Sequence, residues 1–155
     1  MTPRFLADEM NGDIAKWLRI MGFDCKYLTG RDLDDRLVEI CLREDRVLLT
    51  SDRELYLKAV GRGVKAILTI GGDRKEKLRK IIKSMGLEDL VFKAYRCPMC
   101  NSLLDRVESS KVRDRLPRGV AERHRFVWLC PSCGKVYWEG THWSNILRFV
   151  GEVVK

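Results

Sequence analysis

The acidic side chains best placed to do chemistry either follow short apolar runs or begin predicted helices in the first half of the chain. In a parallel sheet, the carboxyl ends of the strands and the helix starts behind them lie on one edge. Carboxylates brought together there repel one another unless a cation lies between them, and Mg2+ or Mn2+ prefers such oxygen ligands. A bound divalent ion activates water for phosphodiester hydrolysis. The acids concerned are Asp8, Asp34, Asp35, Asp52 and Asp73.

Each of these aspartates also has a simpler interpretation, because Asp is a favoured residue at the N-cap of a helix. Asp52 precedes a predicted helix over Arg53–Val60 and could serve as its cap, as a metal ligand, or as both. For Asp73 the two interpretations are equally well supported. Asp8 is less suited to capping, because the next predicted helix begins several residues later and has Asp13 as its cap.

Two Cys-x-x-Cys pairs in the second part of the chain predict a zinc site. A two-residue spacer lets both thiolates of a turn face one ion, and two such turns complete a tetrahedral four-sulfur site. Four cysteines leave no position for a substrate, so the zinc is expected to be structural. A redox pair or disulfides would be the alternatives. The four ligands are Cys97, Cys100, Cys130 and Cys133, whereas Cys25 and Cys41 are expected to be buried apolar side chains.

Apolar runs alternate with helical stripes along the first half of the chain. This alternation predicts an α/β fold, with right-handed β-α-β units and a parallel sheet covered by helices on both faces. The predicted strands are Arg4–Asp8, Phe23–Leu28, Arg46–Thr50 and Val64–Ile70. The predicted helices run from Ile14 to about Met21, from Asp34 or Asp35 onward, over Arg53–Val60, and from the cap Asp73 to Met85.

The character of the chain changes near Tyr95, where the helical periodicity gives way to cysteine pairs and Gly or Pro turns. We therefore predict two domains, an α/β domain over residues 1–95 and a zinc ribbon with a C-terminal helix over residues 96–155. The helix is predicted over Thr141–Val154, where an apolar stripe should pack on one of the two modules.

The chain is basic, with a net charge of +8 and a pI of about 9.3, which favours an acidic partner such as nucleic acid. Basic residues accumulate between the cysteine pairs, and aromatic residues surround the second pair. Such a combination can bind a single strand through phosphates and stacked bases, although the aromatics could instead form the small core that a ribbon needs. The residues are Lys111, Arg113, Arg115, Arg118, Arg123, Arg125, Phe126, Trp128, Tyr137, Trp138 and Trp143.

No apolar run is long enough to cross a bilayer, and the first residues lack the apolar segment of a secretory signal. We therefore expect a cytoplasmic protein that does not associate with membranes. Thiols stay reduced in that compartment, which favours zinc over disulfides for the paired cysteines.

Several segments together resemble the PIN-like ribonuclease family named after the C-terminal RNase domain of the mutator-seven exonuclease. The resemblance covers nearly the whole chain, including the cysteine pairs. One departure is Ser51, which stands where the family usually has Arg. The segments are Arg-Phe-Leu-Ala-Asp ending at Asp8, Ala15–Gly22, Arg46–Leu55, Arg96–Asn101 and Cys130–Gly140.

The resemblance implies a PIN-like three-layer α/β/α sandwich with an attached zinc ribbon. It also implies a metal-dependent endoribonuclease that uses Mg2+ or Mn2+ to hydrolyse RNA. The family's acids correspond to Asp8, Asp52 and, at the start of a helix, Asp34, with Asp35 adjacent and Asp32 a further candidate. The ribbon and the basic helix Arg74–Lys83 would hold the RNA.

Two other functions fit the same residues. One is a non-catalytic RNA-binding adaptor with a degenerate acidic pocket. The other is a receiver-like phosphoacceptor domain, which would need a Lys at the end of a late strand; Lys93 is poorly placed for that role. The RNA target, the preference for RNA over DNA, a fourth acid at Asp73 and the oligomeric state are left open.

Overall fold

The structure, a computed structural model, describes residues 2–155. Its centre is a four-stranded parallel sheet with the strand order β2-β1-β3-β4. The two middle strands follow the most apolar runs of the chain, and every residue of β3 is buried. The strands are β1 (Arg4–Ala7), β2 (Asp24–Tyr27), β3 (Arg46–Thr50) and β4 (Ala66–Leu68).

Helices cover both faces of this sheet, as the fold class predicted. Alternate strand residues point to opposite faces, so Phe5 and Ala7 join one apolar core and Leu6 joins the other. One core is closed by α1 (Gly12–Ile20), α4 (Arg74–Met85) and α6 (Thr141–Val154), and the other by α2 (Asp34–Glu44) and α3 (Arg53–Gly61). The result is a three-layer α/β/α sandwich.

The bounds of several elements differ from those predicted. β2 and β4 are shorter, because only the residues that face a partner strand enter the ladder. The helix α1 begins at Gly12, so Asp13 lies within its first turn and is not its cap. The Asp13 carboxylate instead accepts a hydrogen bond of 2.6 Å from Nε of Arg74 at the start of α4.

The second part of the chain forms a small antiparallel sheet with the strand order β5-β6-β7. The small core of this part of the chain is aliphatic and contains the buried side chains of Val112, Val120 and Val127. The strands are β5 (Asp105–Glu108), β6 (Phe126–Leu129) and β7 (Val136–Tyr137), and the short helix α5 (Val120–Arg123) lies between the first two.

The C-terminal helix α6 packs against the α/β sandwich. Val150 and Val153 are buried in the same core as β1 and β3, and the Trp17 and Phe149 rings have centroids 4.4 Å apart. Basic residues of α4 hold α6 as well: Arg79 donates to the carbonyl oxygen of Glu152. The domain division at residue 95 stays a prediction. Helix α6 follows that division in the sequence but packs on the α/β sandwich, where it completes one helical layer.

The first cysteine pair is fastened to the sandwich by buried polar contacts. Arg19, only 9% exposed, donates to the carbonyl oxygens of Cys25 in β2 and Pro98 in the pair. Asn101 accepts a hydrogen bond of 2.9 Å from the backbone N–H of Cys25 and donates one of 2.8 Å to the Asp24 carboxylate. The Asn101 side chain thus forms hydrogen bonds along the outer edge of β2.

Candidate active site and cysteine cluster

Asp8 follows β1 directly and is buried, with 7% of its surface exposed. Its Oδ1 accepts a hydrogen bond of 2.6 Å from Nδ2 of Asn11. Its Oδ2 accepts from the Thr50 hydroxyl at 2.6 Å and from the backbone N–H of Ser51 at 3.2 Å. Three donors therefore fix this carboxylate at the carboxyl edge of the sheet.

Asp52 lies on the same edge, one strand away, at the start of α3. Its Oδ1 accepts from the backbone N–H groups of Glu54 and Leu55, so Asp52 caps the helix. Among residues 2–155 nothing donates to its Oδ2, and the residue is exposed. The capping function therefore leaves one carboxylate oxygen available to a ligand.

Thr50 connects the two acids. Its hydroxyl donates to Asp8 and accepts a hydrogen bond of 3.0 Å from the backbone N–H of Asp52. Since β1 and β3 are neighbours in the sheet, their ends bring Asp8 and Asp52 to one place. The buried Thr50 side chain sets the position of both.

Two buried polar residues that the sequence reasoning missed complete this edge. Asn11 and Thr69 are each 1% exposed, and the Thr69 hydroxyl donates to Oδ1 of Asn11 at 2.9 Å. The Ser51 hydroxyl lies 3.0 Å from Oγ1 of Thr69. A signal for Thr69 existed, because it ends an apolar run just as Thr50 does; Asn11 follows Asp8 by three residues with no comparable pattern.

The other predicted acids lie apart from this network. Asp34 and Asp35 begin α2 and are exposed. The Asp35 carboxylate pairs with Lys58, whose hydrogen bond lowers the pKa of that carboxyl. Asp73 accepts a hydrogen bond of 2.9 Å from the backbone N–H of Glu76 and so caps α4. Asp32 has a φ of 51°, in the left-handed region.

The carboxylates are not gathered around a single point in this structure. Throughout residues 2–155, the cysteine cluster is the only group of three or more Cys, His, Asp or Glu side chains whose ligand atoms all lie within 4.8 Å of one another. The structure thus brings Asp8 and Asp52 to one edge through Thr50. A site that includes Asp34 or Asp35 stays a prediction.

The four paired cysteines do converge, as their spacing predicted. The Sγ atoms of Cys97 and Cys133 are 3.6 Å apart, and those of Cys100 and Cys130 are 3.3 Å apart. Four sulfur atoms at these distances suit a tetrahedral zinc ion. This cluster lies between the two turns of the ribbon and is consistent with structural zinc.

The thiols of the cluster influence one another's ionisation. The backbone N–H of Ser102 lowers the pKa of Cys100 to about 6. The backbone N–H of Lys135 would lower that of Cys133, but burial and the neighbouring sulfurs raise it to about 11. Sulfurs this close cannot all be thiolates without a cation between them, which fits a metal centre.

A comparison with protein-family models matches residues 3–150 to the Mut7-C RNAse domain. The chain belongs to the Mut7-C RNAse domain family. The match includes the α/β sandwich, the cysteine cluster and most of α6, so these parts together constitute the family's domain. Comparisons with the curated proteins and with the solved structures found no match.

Membership in the Mut7-C RNAse domain family implies ribonuclease activity, with RNA as the substrate. The fold and the cysteine cluster agree with the resemblance read from the sequence. None of the helices within residues 2–155 has the length and apolar character needed to cross a membrane.

Proposed function

We propose that this Mut7-C protein is an endoribonuclease that hydrolyses RNA phosphodiester bonds at the carboxyl edge of its parallel sheet. The observation that carries the proposal is the shared contact of Asp8 and the Asp52 backbone with the Thr50 hydroxyl. It supports the proposal because both acids follow neighbouring strands at the edge where α/β folds carry out their chemistry.

The residues at this edge fit a Mg2+ or Mn2+ ion. All the available donors are oxygens, which hard divalent cations prefer: the carboxylates of Asp8 and Asp52, with the Ser51 hydroxyl and the Asn11 amide beside them. Oδ1 of Asp8 accepts one hydrogen bond and retains a lone pair for a metal ion, whereas Oδ2 already accepts two. When bound, such an ion neutralises the phosphate and activates water.

The acidic residues would each have a different function in metal binding. Asp8, held by buried donors, provides the fixed ligand, and Asp52 provides its free Oδ2. Asp34 is the better third acid, because Lys58 already neutralises Asp35. Asp34 would have to approach from the exposed start of α2. Binding of the substrate or the metal would therefore be needed to bring Asp34 into the site.

The adaptor remains a second candidate, on one observation. No three carboxylates within the described residues gather to within 4.8 Å, as a preformed catalytic centre would. In that case the zinc ribbon would bind RNA and the acidic edge would be inactive. Binding without cleavage distinguishes this candidate from the nuclease.

The test is cleavage of a labelled single-stranded RNA by the zinc-loaded protein, with and without added Mg2+ or Mn2+. Asp52→Asn is a sharp variant because Asn caps a helix as well as Asp does, so α3 should be unaffected. Asp8→Asn tests the buried acid, and Asp89→Asn, a change of an exposed acid in the same domain, is the control.

We expect the wild type and Asp89→Asn to cut RNA with divalent ions only. Loss of a metal ligand should slow cleavage by about a hundredfold or more in both acid variants. If neither the wild type nor any variant cuts RNA, yet all of them shift RNA on a gel, the adaptor becomes the better explanation of the function. If Asp52→Asn cuts as fast as the wild type, the proposed site is wrong.

A further inference from the structure

A cleft of about 870 Å³ opens between the α/β sandwich and the ribbon. Helices α1 and α6 form one wall, and β6, β7 and the turn after them form the other. This volume is typical of a site for a small molecule or a few nucleotides. Aromatic rings line it throughout, with Trp17, Tyr95, Trp128, Tyr137, Trp138 and Trp143 among them.

These rings are not the core of the ribbon. That core is aliphatic, and each of the four tryptophans is only half-buried. Tyr95 is 39% exposed and packs against Trp128 with a centroid distance of 5.2 Å. No buried side-chain nitrogen in residues 2–155 lacks a partner, so the unpartnered indole N–H groups reach solvent. The cleft thus offers accessible aromatic faces and free donors.

A second, basic cleft of about 590 Å³ adjoins the first and shares the Tyr95–Trp128 pair with it. Arg106, Arg123 and Arg125 line this basic cleft, and no carboxylate within residues 2–155 pairs with them. The exposed Glu139 is the one acid that lines both clefts. The guanidinium groups of Arg106 and Arg125 lie over the Phe126 ring. Guanidinium groups without carboxylate partners beside aromatic rings match the alternation of phosphate and base in a nucleic acid strand.

The opposite end of the aromatic cleft lies near the acidic edge of the sheet. Asp13 and Arg74 line it there. Asp13 follows Asn11, the donor to Asp8, by two residues, and Arg74 extends over the Trp17 ring at 5.7 Å from its centroid. A strand that lies in the two clefts would therefore lead towards Asp8 and Asp52.

We infer that the aromatic cleft binds the unpaired bases of single-stranded RNA, while the basic cleft binds the adjoining phosphates. This inference rests on the proposed function for the identity of the strand. The charge of the clefts, their accessible rings and their continuity with the acidic edge support it. Double-stranded RNA, whose bases are already stacked and paired, would not occupy the aromatic cleft.

The test measures the affinity of the 155-residue, zinc-loaded chain for a short uridine-rich RNA by fluorescence anisotropy. EDTA-washed buffer without free divalent ions prevents cleavage, so binding is read separately from catalysis. Tyr95→Ala and Trp138→Ala remove stacking surfaces, and Tyr95→Phe and Trp138→Phe retain an aromatic ring. Leu57→Ala, at an exposed apolar residue of α3, is the control.

We expect each alanine variant to bind single-stranded RNA about tenfold more weakly, with an unchanged salt dependence, because stacking releases no counterions. The phenylalanine variants and Leu57→Ala should bind like the wild type. Arg106→Gln and Arg123→Gln should instead reduce the slope of affinity against salt. Zinc content and melting temperature establish that each variant is folded.

Unchanged affinity in both alanine variants would overturn the inference, as would an equal loss for double-stranded RNA. The outcomes also separate this inference from the nuclease. A protein that does not cleave but loses affinity in the alanine variants retains the cleft as a binding site. A protein that cleaves with unchanged affinity in these variants retains the nuclease and rejects the cleft. Stronger binding of the matching DNA strand would reject RNA as the occupant.

Discussion

The buried guanidinium of Arg19 donates a hydrogen bond of 3.0 Å to the carbonyl oxygen of Pro98, inside the first cysteine pair. The same side chain donates to Cys25 in the edge strand β2. The turn that carries two zinc ligands is therefore held by the sandwich, and the geometry of each depends on the other. The cysteine cluster and the α/β sandwich are coupled through this contact.

Removal of zinc should destabilise the whole chain. Cys100→Ser, or a strong chelator, would release the turn and break the hydrogen bond from Arg19 to Pro98, which costs about 1–3 kcal/mol beyond the lost metal binding. Calorimetry should then show a lower melting temperature for the main transition. Ser110→Ala, an exposed change elsewhere in the ribbon, should leave it unchanged. A main transition that does not respond to zinc would contradict the coupling.

Asn101 can be tested in the same way, with its backbone conformation held separate. Its φ is 74°, which glycine adopts freely, so Asn101→Gly removes the two side-chain hydrogen bonds without backbone strain. We expect a loss of about 1–3 kcal/mol in the free energy of unfolding, because the Cys25 N–H is left unpaired. Denaturant unfolding measures it. A stability equal to that of the wild type would mean that water replaces Asn101.

Thr50 should matter to both activity and stability. Thr50→Val keeps the buried volume but removes the hydroxyl that positions Asp8 and the Asp52 backbone. We expect RNA cleavage to fall by about tenfold or more, with a loss of about 1–3 kcal/mol in stability. Thr50→Ser, which retains the hydroxyl, is the matched control and should keep most of the cleavage rate. Equal rates for Val and Ser would remove Thr50 from the site.

The stability of the protein should depend on pH through the ionisation of Glu44. Hydrogen bonds from Lys26 and from Arg46 lower the pKa of Glu44 to about 2. A carboxyl with a lowered folded-state pKa contributes stability above its ordinary pKa near 4.5, and this contribution is lost as the pH falls towards 2. Because Glu44 is partly exposed, we expect Glu44→Gln to cost only about 1 kcal/mol at neutral pH.

The measurement is urea unfolding of the wild type and Glu44→Gln at a series of pH values. The difference between the two should shrink from pH 5 to pH 2. Glu39→Gln, on the same helix and exposed, is the control. A difference that stays constant with pH would mean that Glu44 contributes through packing and not through its charge.

The sequence predicted elements whose signals are local. The bounds of β3, α4 and α6 agree with the structure, because an unbroken apolar run, an Asp cap with a closing Gly, and a helical stripe each mark their own ends. The cysteine cluster was equally predictable, since the spacing of the pairs encodes the geometry of the turns.

The parts that the sequence did not predict depend on contacts between distant residues. Asn11 and Thr69 meet only because β1 and β4 lie on either side of β3, and no local pattern marks them as partners. The sequence around the tryptophans of the ribbon is the same whether these side chains form a core or line a cleft. Their exposure depends on where α6 places the opposite wall.

The position of α6 also affects how the protein is made. A ribosome delivers the chain from its N-terminus, and domains tend to fold in that order. Here the core beneath α1 and α4 stays open until Val150 and Val153 arrive, well after the last strand of the sheet. By then the cysteine turns have already been synthesised. The sandwich therefore closes this core only after the ribbon has been synthesised.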